Sequence, residues 1–550
     1  MRRGGCGSAA DGVVAHKSYS GVSDTPSAPS KVASLRFLDV ASTPPHEEGN
    51  AVSLFEDGFG RLGRQIPPTI LRMSTQATTQ QAALQHPSRV SLRANVGQVL
   101  CVIVPPIIWF APLDIEAGAK HALAITSFML LAWITEAMDY AVAGLIGCYL
   151  YWALKVAPFN VAFGGFATDT PWFLMGALLF GMMATKSGLA RRVAFLVTQR
   201  VGNSYSGILL GLIITDFLLT FIVPSGVARI VIMASVALGL VEAFGMGPGS
   251  NVGRGLFLIT TYCAGLFDKM IIAGASSITA RGLIERTGGV HVLWSKWFLA
   301  YLPCTLITIL VAWRLTLRLY PPEKLVLADS GNYLRSENQK IGTWTSLEKK
   351  AAFFSVVAMA LFLTDFFHGI TPSIIGLGIG LAALLPVVGV LTIEDLKRMN
   401  YLPVFFVATA ISMGDVLVQS KGLNLLTNFM FDWMEPLLTN AFSSTLVLYW
   451  TGFVYHFFLA SEISMLATSM PLLMDFAKSH GLSPLMLGMV WSFSAAGKIF
   501  VYQSAVMIVG YSYGFFAGKD LLRMGLWLTV VESLILLLLV PYYWPLLGIQ

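Results

Sequence analysis

The sequence predicts an all-α polytopic membrane protein of two inverted repeats with re-entrant hairpins and broken helices, roughly 11 transmembrane helices in all. Three observations predict it. Of 550 residues, 55% are hydrophobic and 12% charged, and the mean hydropathy is +0.69. Soluble domains carry about 25% charged residues, so a polar outer shell cannot be built here. From Val96 onward, apolar runs succeed one another almost to the C-terminus. Several of those runs are too long for one crossing of about 20 residues and are interrupted at matching places in the two halves of the chain.

Residues 1–93 stand apart, being rich in Ser, Ala, Thr, Gly and Pro without sustained periodicity, and they read as disordered. Arg2, Arg3, Lys17 and Lys31 fit a targeting segment, whereas Asp11, Asp24, Asp39, Glu47 and Glu48 do not. A true start at Met73, with the upstream residues an artefact, is the preferred expectation. The apolar runs follow at 96–112, 121–138, 140–157, 171–187, 206–245, 254–284 and 296–320. After a break come 352–369, 371–391, 401–418, 444–477, 484–514 and 523–548. The overlong runs 206–245, 254–284, 444–477 and, more weakly, 484–514 read as hairpins or broken helices. Such backbone survives at membrane depth only inside protein or beside a wet cavity. The organisation expected is a first membrane half at 94–320, a cytoplasmic linker at 321–350 and a second half at 351–550. The Lys- and Arg-rich stretch 314–350 and the loop at 190–203 are assigned to the cytoplasm by the positive-inside rule. A net charge of +6 reflects these loops, and no nucleic-acid partner is expected. Cys101, Cys148, Cys263 and Cys304 lie in apolar segments at irregular spacing and read as small packing residues, with no metal site.

The internal repeat carries the argument further. Lys186-Ser187-Gly188-Leu189 ends a helix in the first half, and Ser420-Lys421-Gly422-Leu423 ends one in the second. Ser225 lies 37 residues after Gly188, within Pro224-Ser225-Gly226, and Ser461 lies 39 residues after Gly422, within Ala460-Ser461-Glu462. Each is followed by an interrupted helix, at Gly265–Lys269 and at Ala495–Lys498. Chance likeness between apolar helices is the competing account. Matching breaks in two halves point to a secondary transporter whose substrate sits where the breaks meet. The freed amides at half-helix N-termini suit an anion.

At this point residues 130–550 resemble the divalent anion:sodium symporter family, within the ion transporter superfamily. The resemblance rests on Lys186-Ser187-Gly188-Leu189 with Arg191-Arg192, Pro224-Ser225-Gly226-Val227-Ala228-Arg229, Tyr502-Gln503-Ser504 and Trp544-Pro545-Leu546-Leu547-Gly548. The family's Ser-Asn-Thr tips read here as Ser225-Gly226-Val227 and Ser461-Glu462-Ile463, so each serine stays while Asn and Thr are replaced. The family's Thr-Pro-Pro-Asn type breaks are also missing near 271–277 and 500–506. The resemblance implies a homodimer of scaffold and moving transport domains in a lipid bilayer. It implies a small carboxylate substrate, of the succinate or malate type or a tricarboxylate, with sulfate or another inorganic anion as the alternative. It implies substrate contacts from Ser225, Gly226, Ser461, Glu462, Tyr502, Gln503 and Ser504. If residues 1–72 are an artefact, the membrane is a bacterial inner membrane, with an organellar one the alternative.

Ionisable residues within apolar runs are costly and default to functional readings. Lys269 and Lys498 occupy similar places in the two broken helices, where the resemblance puts parts of the sodium sites. A buried ammonium supplies the charge a sodium ion would supply. Lys269 and Lys498 are therefore read as sodium-replacing, with Asp268 and Glu462 as partners or proton carriers, and the carrier as an exchanger or proton-coupled. The plainer reading is that the lysines snorkel or form structural ion pairs. No cofactor is required, and sodium becomes dispensable. Arg229 either offers a fork to a carboxylate or caps the first hairpin; Asp216 and His456 are relays or structural groups; Asp415 reads as structural. No Gly-x-Ser-x-Gly or His-Glu-x-x-His is present, so no catalytic residue is assigned. An anion channel or a non-transporting receptor on the same scaffold is the competing class.

Overall fold

A computed structural model describes the backbone of residues 92–549 except 199, 201–203, 324–329 and 460, and no strand occurs among the described residues. The expectations for residues 1–91 lie outside them. A helix satisfies its own backbone hydrogen bonds, as a membrane interior demands. Three helices open the chain: α1 (Leu92–Phe110), α2 (Ala117–Thr135) and α3 (Tyr140–Ala153). Asp139 starts α3 by accepting from the amides of Ala141 at 2.9 Å and Val142 at 3.2 Å. A first series follows: α4 (Asp169–Lys186), α5 (Leu189–Thr198), α6 (Tyr205–Thr220), α7 (Gly226–Ala243), α8 (Asn251–Met270), α9 (Ala275–Gly288) and α10 (Trp294–Leu319). Then α11 (Ser330–Ile341), α12 (Ser346–Leu363) and α13 (Pro372–Ala382) lead to a second series. It consists of α14 (Leu402–Gln419), α15 (Gly422–Phe431), α16 (Ala441–Phe458), α17 (Glu462–Ser479), α18 (Pro484–Ser494), α19 (Ala505–Ser512) and α20 (Gly518–Leu538).

Both series run in one order: a long helix, a short helix, two hairpin arms, two half-helices about a break, and a closing helix. The four overlong apolar runs each resolve into two helices, with breaks at 221–225, 271–274, 459–461 and 495–504. Gly188 turns the chain between α4 and α5 at φ +84°, and the two helices bend by 64°. In the second half the left-handed residue is Lys421, at φ 63°, rather than Gly422. A non-glycine residue there costs about 1–2 kcal/mol.

Six helices are long and apolar enough to cross a membrane among the described residues, or seven when the bent pair α4–α5 is one span. The roughly 11 expected is therefore reached only by counting apolar helices of 10–17 residues, among them α3, α6, α13 and α18. Of these, α6 is a hairpin arm and α18 a half-helix, which stop at a tip and at a break.

The two halves interlock. α3 crosses α14 and α13 crosses α4, while α9 runs against α17 and α7 against α19. Small residues let the backbones meet. A Cβ on Gly176 would lie 2.5 Å from the carbonyl oxygen of Gly376, and one on Gly144 would lie 2.0 Å from Oγ1 of Thr409. Trp133, Trp294, Trp297, Trp491 and Trp544 are fully buried, whereas Val102, Phe110, Phe353, Phe367 and Leu538 are exposed, as a lipid-facing surface allows.

Candidate functional site

The first tip is built where α6 ends and the chain turns through Phe221–Pro224. Ser225 is extended and caps α7, its Oγ accepting from the amide of Ala228 at 3.3 Å. The next amide, that of Gly226, donates to Oδ2 of Asp268 at 3.2 Å. Only glycine fits here, because a Cβ would lie 2.3 Å from Asp268 Oδ2 and 2.9 Å from the Ala264 carbonyl. One turn on, Arg229 is wholly buried. It donates to Asp216 Oδ1 at 3.2 Å, to the Val223 carbonyl at 3.0 Å and to the Ala264 carbonyl at 2.8 Å. Its Nη2 also lies 3.0 Å from Asp268 Oδ1. Arg229 thus ties both arms of the hairpin to α8, and its fork is spent on the protein itself. Asp216 and Asp268 are its carboxylate partners.

The break after α8 frees carbonyls that other elements satisfy. Ser277 Oγ donates to the Asp268 carbonyl at 2.9 Å, and Trp297 Nε1 to that of Lys269 at 2.9 Å. Lys269 itself, in the last turn of α8, is 1% exposed. Its Nζ donates to the Ser492 carbonyl at 3.1 Å and ion-pairs with Oε1 of Glu462.

Glu462 opens α17 at the second tip, just after Ser461, whose side chain makes no cap. The other oxygen of Glu462, Oε2, lies 3.1 Å from Nζ of Lys498. Lys498 belongs to the second break and is 3% exposed. The two lysines of the two broken helices therefore meet on the two oxygens of one carboxylate, which is the most accessible of the three side chains at 11%. Of the two partners expected for the lysines, Glu462 takes both and Asp268 neither in this arrangement.

The remaining predicted residues surround the second break. Gln503 is buried, and its Oε1 accepts from the amides of Ile499 at 2.7 Å and Phe500 at 2.8 Å, bracing the loop that carries Lys498. Ser504 caps α19 through the Val506 amide at 3.3 Å. Tyr502 is 41% exposed, and its hydroxyl donates to the Phe457 carbonyl at 3.3 Å. His456 is wholly buried on α16. Asp415 accepts from Arg286 at 3.2 and 3.4 Å, joining α14 to α9.

One carboxylate was missed by sequence reasoning. Glu532, on α20, is 1% exposed and accepts from the hydroxyl of Tyr449 at 2.9 Å. It lines a small cavity with Lys498, Tyr262, Leu266 and Thr529. Its signal was present, since it is the one acidic residue in the run 523–548. A second cavity lies beside the first tip, lined by Phe173, Phe180, Pro224, Ile272 and Trp294, and its polar side-chain groups are the Thr220 hydroxyl and the Trp294 indole N–H. It has no charged side chain in its lining, whereas Lys269, Lys498 and Glu462 meet at the second tip.

The family profile described as the sodium:sulfate symporter transmembrane region matches residues 92–550. Among curated proteins, a "Membrane protein" of Cupriavidus necator is 24% identical over 489 residues, covering 83% of this chain and 92% of that one. The "Citrate/succinate antiporter" of Escherichia coli K12 is 24% identical over 395 residues, 70% of this chain and 80% of that protein. "Dicarboxylate transporter 1, chloroplastic" of Spinacia oleracea is 23% identical over 470 residues, 82% and 80% of the two chains.

Proposed function

The chain belongs to the sodium:sulfate symporter family, the divalent anion:sodium symporters, and from that premise we propose that it carries di- or tricarboxylates of the succinate type by sodium-independent exchange or proton coupling. It is a multi-pass integral membrane protein and a transporter of small anions, not an enzyme. The named relatives support a carboxylate over sulfate as the cargo.

The observation that carries the reading is the meeting of Lys269 and Lys498 on Glu462. Two fixed ammoniums beside the breaks supply positive charge for an anion without an ion gradient, and they repel a sodium ion. Ser225 and Gly226 open α7, Ser461 opens α17 and Ser504 opens the half-helix α19. The start of α17, where Ser461 makes no cap, offers its first amides to the anion, whereas the Gly226, Ala228 and Val506 amides are already bonded within the protein. Alternating access by a transport domain of hairpins and broken helices moving against a scaffold, in a homodimer within a bacterial inner membrane, completes the proposal.

The test is radiolabelled succinate uptake into proteoliposomes, with and without a sodium gradient, and with succinate inside or absent. Uptake that needs internal succinate or a proton gradient and ignores sodium is expected. The Lys498→Asn variant should weaken succinate binding roughly 10- to 150-fold, the equivalent of one charge-assisted hydrogen bond of about 1.5–3 kcal/mol. Uptake driven by sodium sinks the lysine reading and places the chain with the sodium-coupled carriers. Flux without counterflow makes it a channel.

A further inference from the structure

The site as it stands already holds an anion, and that anion is part of the chain. An incoming carboxylate bound for the lysines meets Glu462 at the start of α17, with one lysine on each of its oxygens. Two ionised carboxylates about 4 Å apart repel by about 4 kcal/mol at the effective dielectric of a protein site, which is why paired carboxylates share a proton. We propose that Glu462 is a built-in competitor of the substrate: a substrate carboxylate takes its place on Lys269 and Lys498 as Glu462 takes up a proton, so the carrier is proton-coupled. This deepens the carrier reading above and rests on it.

The step balances. The ion pairs Glu462–Lys269 and Glu462–Lys498 open, an O–H bond forms on Glu462, and both ammoniums pass to the substrate carboxylate. The proton enters from the compartment that supplies the substrate. It leaves on the far side, when the substrate departs and Glu462 pairs again.

Four features single out Glu462. It is the most accessible member of the cluster, at 11% against 1% and 3% for the lysines. Its backbone neighbour Ser461 makes no capping bond that would pin the tip. Two hydroxyls, that of Ser464 two residues on in α17 and that of Ser492 on α18, whose carbonyl Lys269 contacts, are buried without a hydrogen-bond partner among the described residues. They are free to accept or donate when the cluster rearranges. The first tip also has a carboxylate beside it, Asp268, but Arg229 holds that one at 3.0 Å and is itself fixed by donating to Asp216 and to the Val223 and Ala264 carbonyls. Displacement therefore belongs to the second tip.

The charged and titratable groups around Glu462 come from every neighbouring element. Lys269 lies on α8 and Lys498 in the second break, both in direct contact. His456 lies on the preceding arm α16, Asp268 lies beside Lys269 on α8, and Glu532 lies on α20 across a cavity from Lys498. Glu532 is the rival proton site, so the test must separate the two.

Purified wild-type protein in weakly buffered detergent solution is titrated with succinate at neutral pH, where succinate is ionised at both ends, and a pH indicator reads the medium. Proton uptake on binding is expected, and succinate affinity should rise by about tenfold for each pH unit lowered from the mildly alkaline range. In Glu462→Gln, proton uptake per succinate bound should be lost and the affinity should no longer follow pH. Glu532→Gln should keep both. Saturable wild-type binding without proton uptake overturns the proposal while leaving the carrier reading intact. Loss of uptake in Glu532→Gln with retention in Glu462→Gln also overturns it. Wild-type protein that neither binds nor exchanges succinate sinks both.

Discussion

Replacing Arg229 by Gln should be among the most damaging single changes at the first tip. The guanidinium has no exposed surface and contacts two carboxylates and two backbone carbonyls on three segments. Its loss strands Asp216, which is itself wholly buried, and leaves Asp268 on the Gly226 amide alone. Breaking a buried pair so that a charge stays uncompensated costs about 3–5 kcal/mol. The lower figure shifts the folded-to-unfolded ratio roughly 150-fold, at about 1.4 kcal/mol per tenfold. The assay is thermal unfolding in detergent, followed by the fraction that stays monodisperse. Arg229→Lys should fare little better, because one ammonium cannot span acceptors arranged for a planar fork. Adding Asp216→Asn to Arg229→Gln should recover part of the loss, since the stranded charge goes with it. A melting curve for Arg229→Gln within about 0.5 kcal/mol of wild type, the scatter of a surface substitution, would refute the idea that this network holds the tip.

Gly226→Ala should destabilise the same tip by about 1–3 kcal/mol, the usual cost of overpacking, because its Cβ would meet Asp268 Oδ2 at 2.3 Å. Unchanged thermal unfolding would count against it. Outside the spans, Arg192 grips Glu348 with bonds of 2.8 and 2.9 Å, fixing α5 to the start of α12. Burial pushes the Glu348 carboxyl up, but the bonds from Arg192 and Thr345 outweigh it and hold the group below its ordinary 4.5. Since the folded value is the lower one, this stabilisation is present above pH 4.5 and is lost as pH falls through the folded value. Protection from hydrogen exchange at the first turn of α12, taken relative to the intrinsic rate at each pH, should fall in that acid range, and Glu348→Gln should remove the step.

The order of elements was legible because punctuation is local. Gly, Pro and Ser residues that interrupt an apolar run mark a break wherever the chain later goes. The tip serines emerged as the caps or openings of α7 and α17, and the overlong runs divided at those signals. Partnership was less legible. The ionisable residues in apolar runs identified which side chains need partners, but the choice of partner is tertiary. Asp268 and Glu462 were equal candidates for the lysines, and Arg229, one turn beyond the tip, claimed Asp268. Gln503 reads as a ligand in a list of polar residues near a break, and the fold gives it a second task the sequence does not show: its Oε1 serves two amides of that break, while its Nε2 is buried without a hydrogen-bond partner among the described residues. Glu532 was passed over because the closing helix carries no interruption to draw attention to it. The count of spans rests on the shorter apolar helices for a local reason too, since an apolar run announces a helix without saying whether that helix crosses the membrane.

The ion pairs at the two tips also differ in when synthesis allows them to form. Arg229 and Asp268 are 39 residues apart, so at roughly 5–20 residues per second the chain completes that pair within about 2–8 s. Lys269 precedes Glu462 by 193 residues and waits roughly 10–40 s for its carboxylate at the same pace. During that wait a lysine has already been delivered toward the membrane with nothing to neutralise it. The second half then supplies the carboxylate on which Lys269 closes, and brings Lys498 to share it.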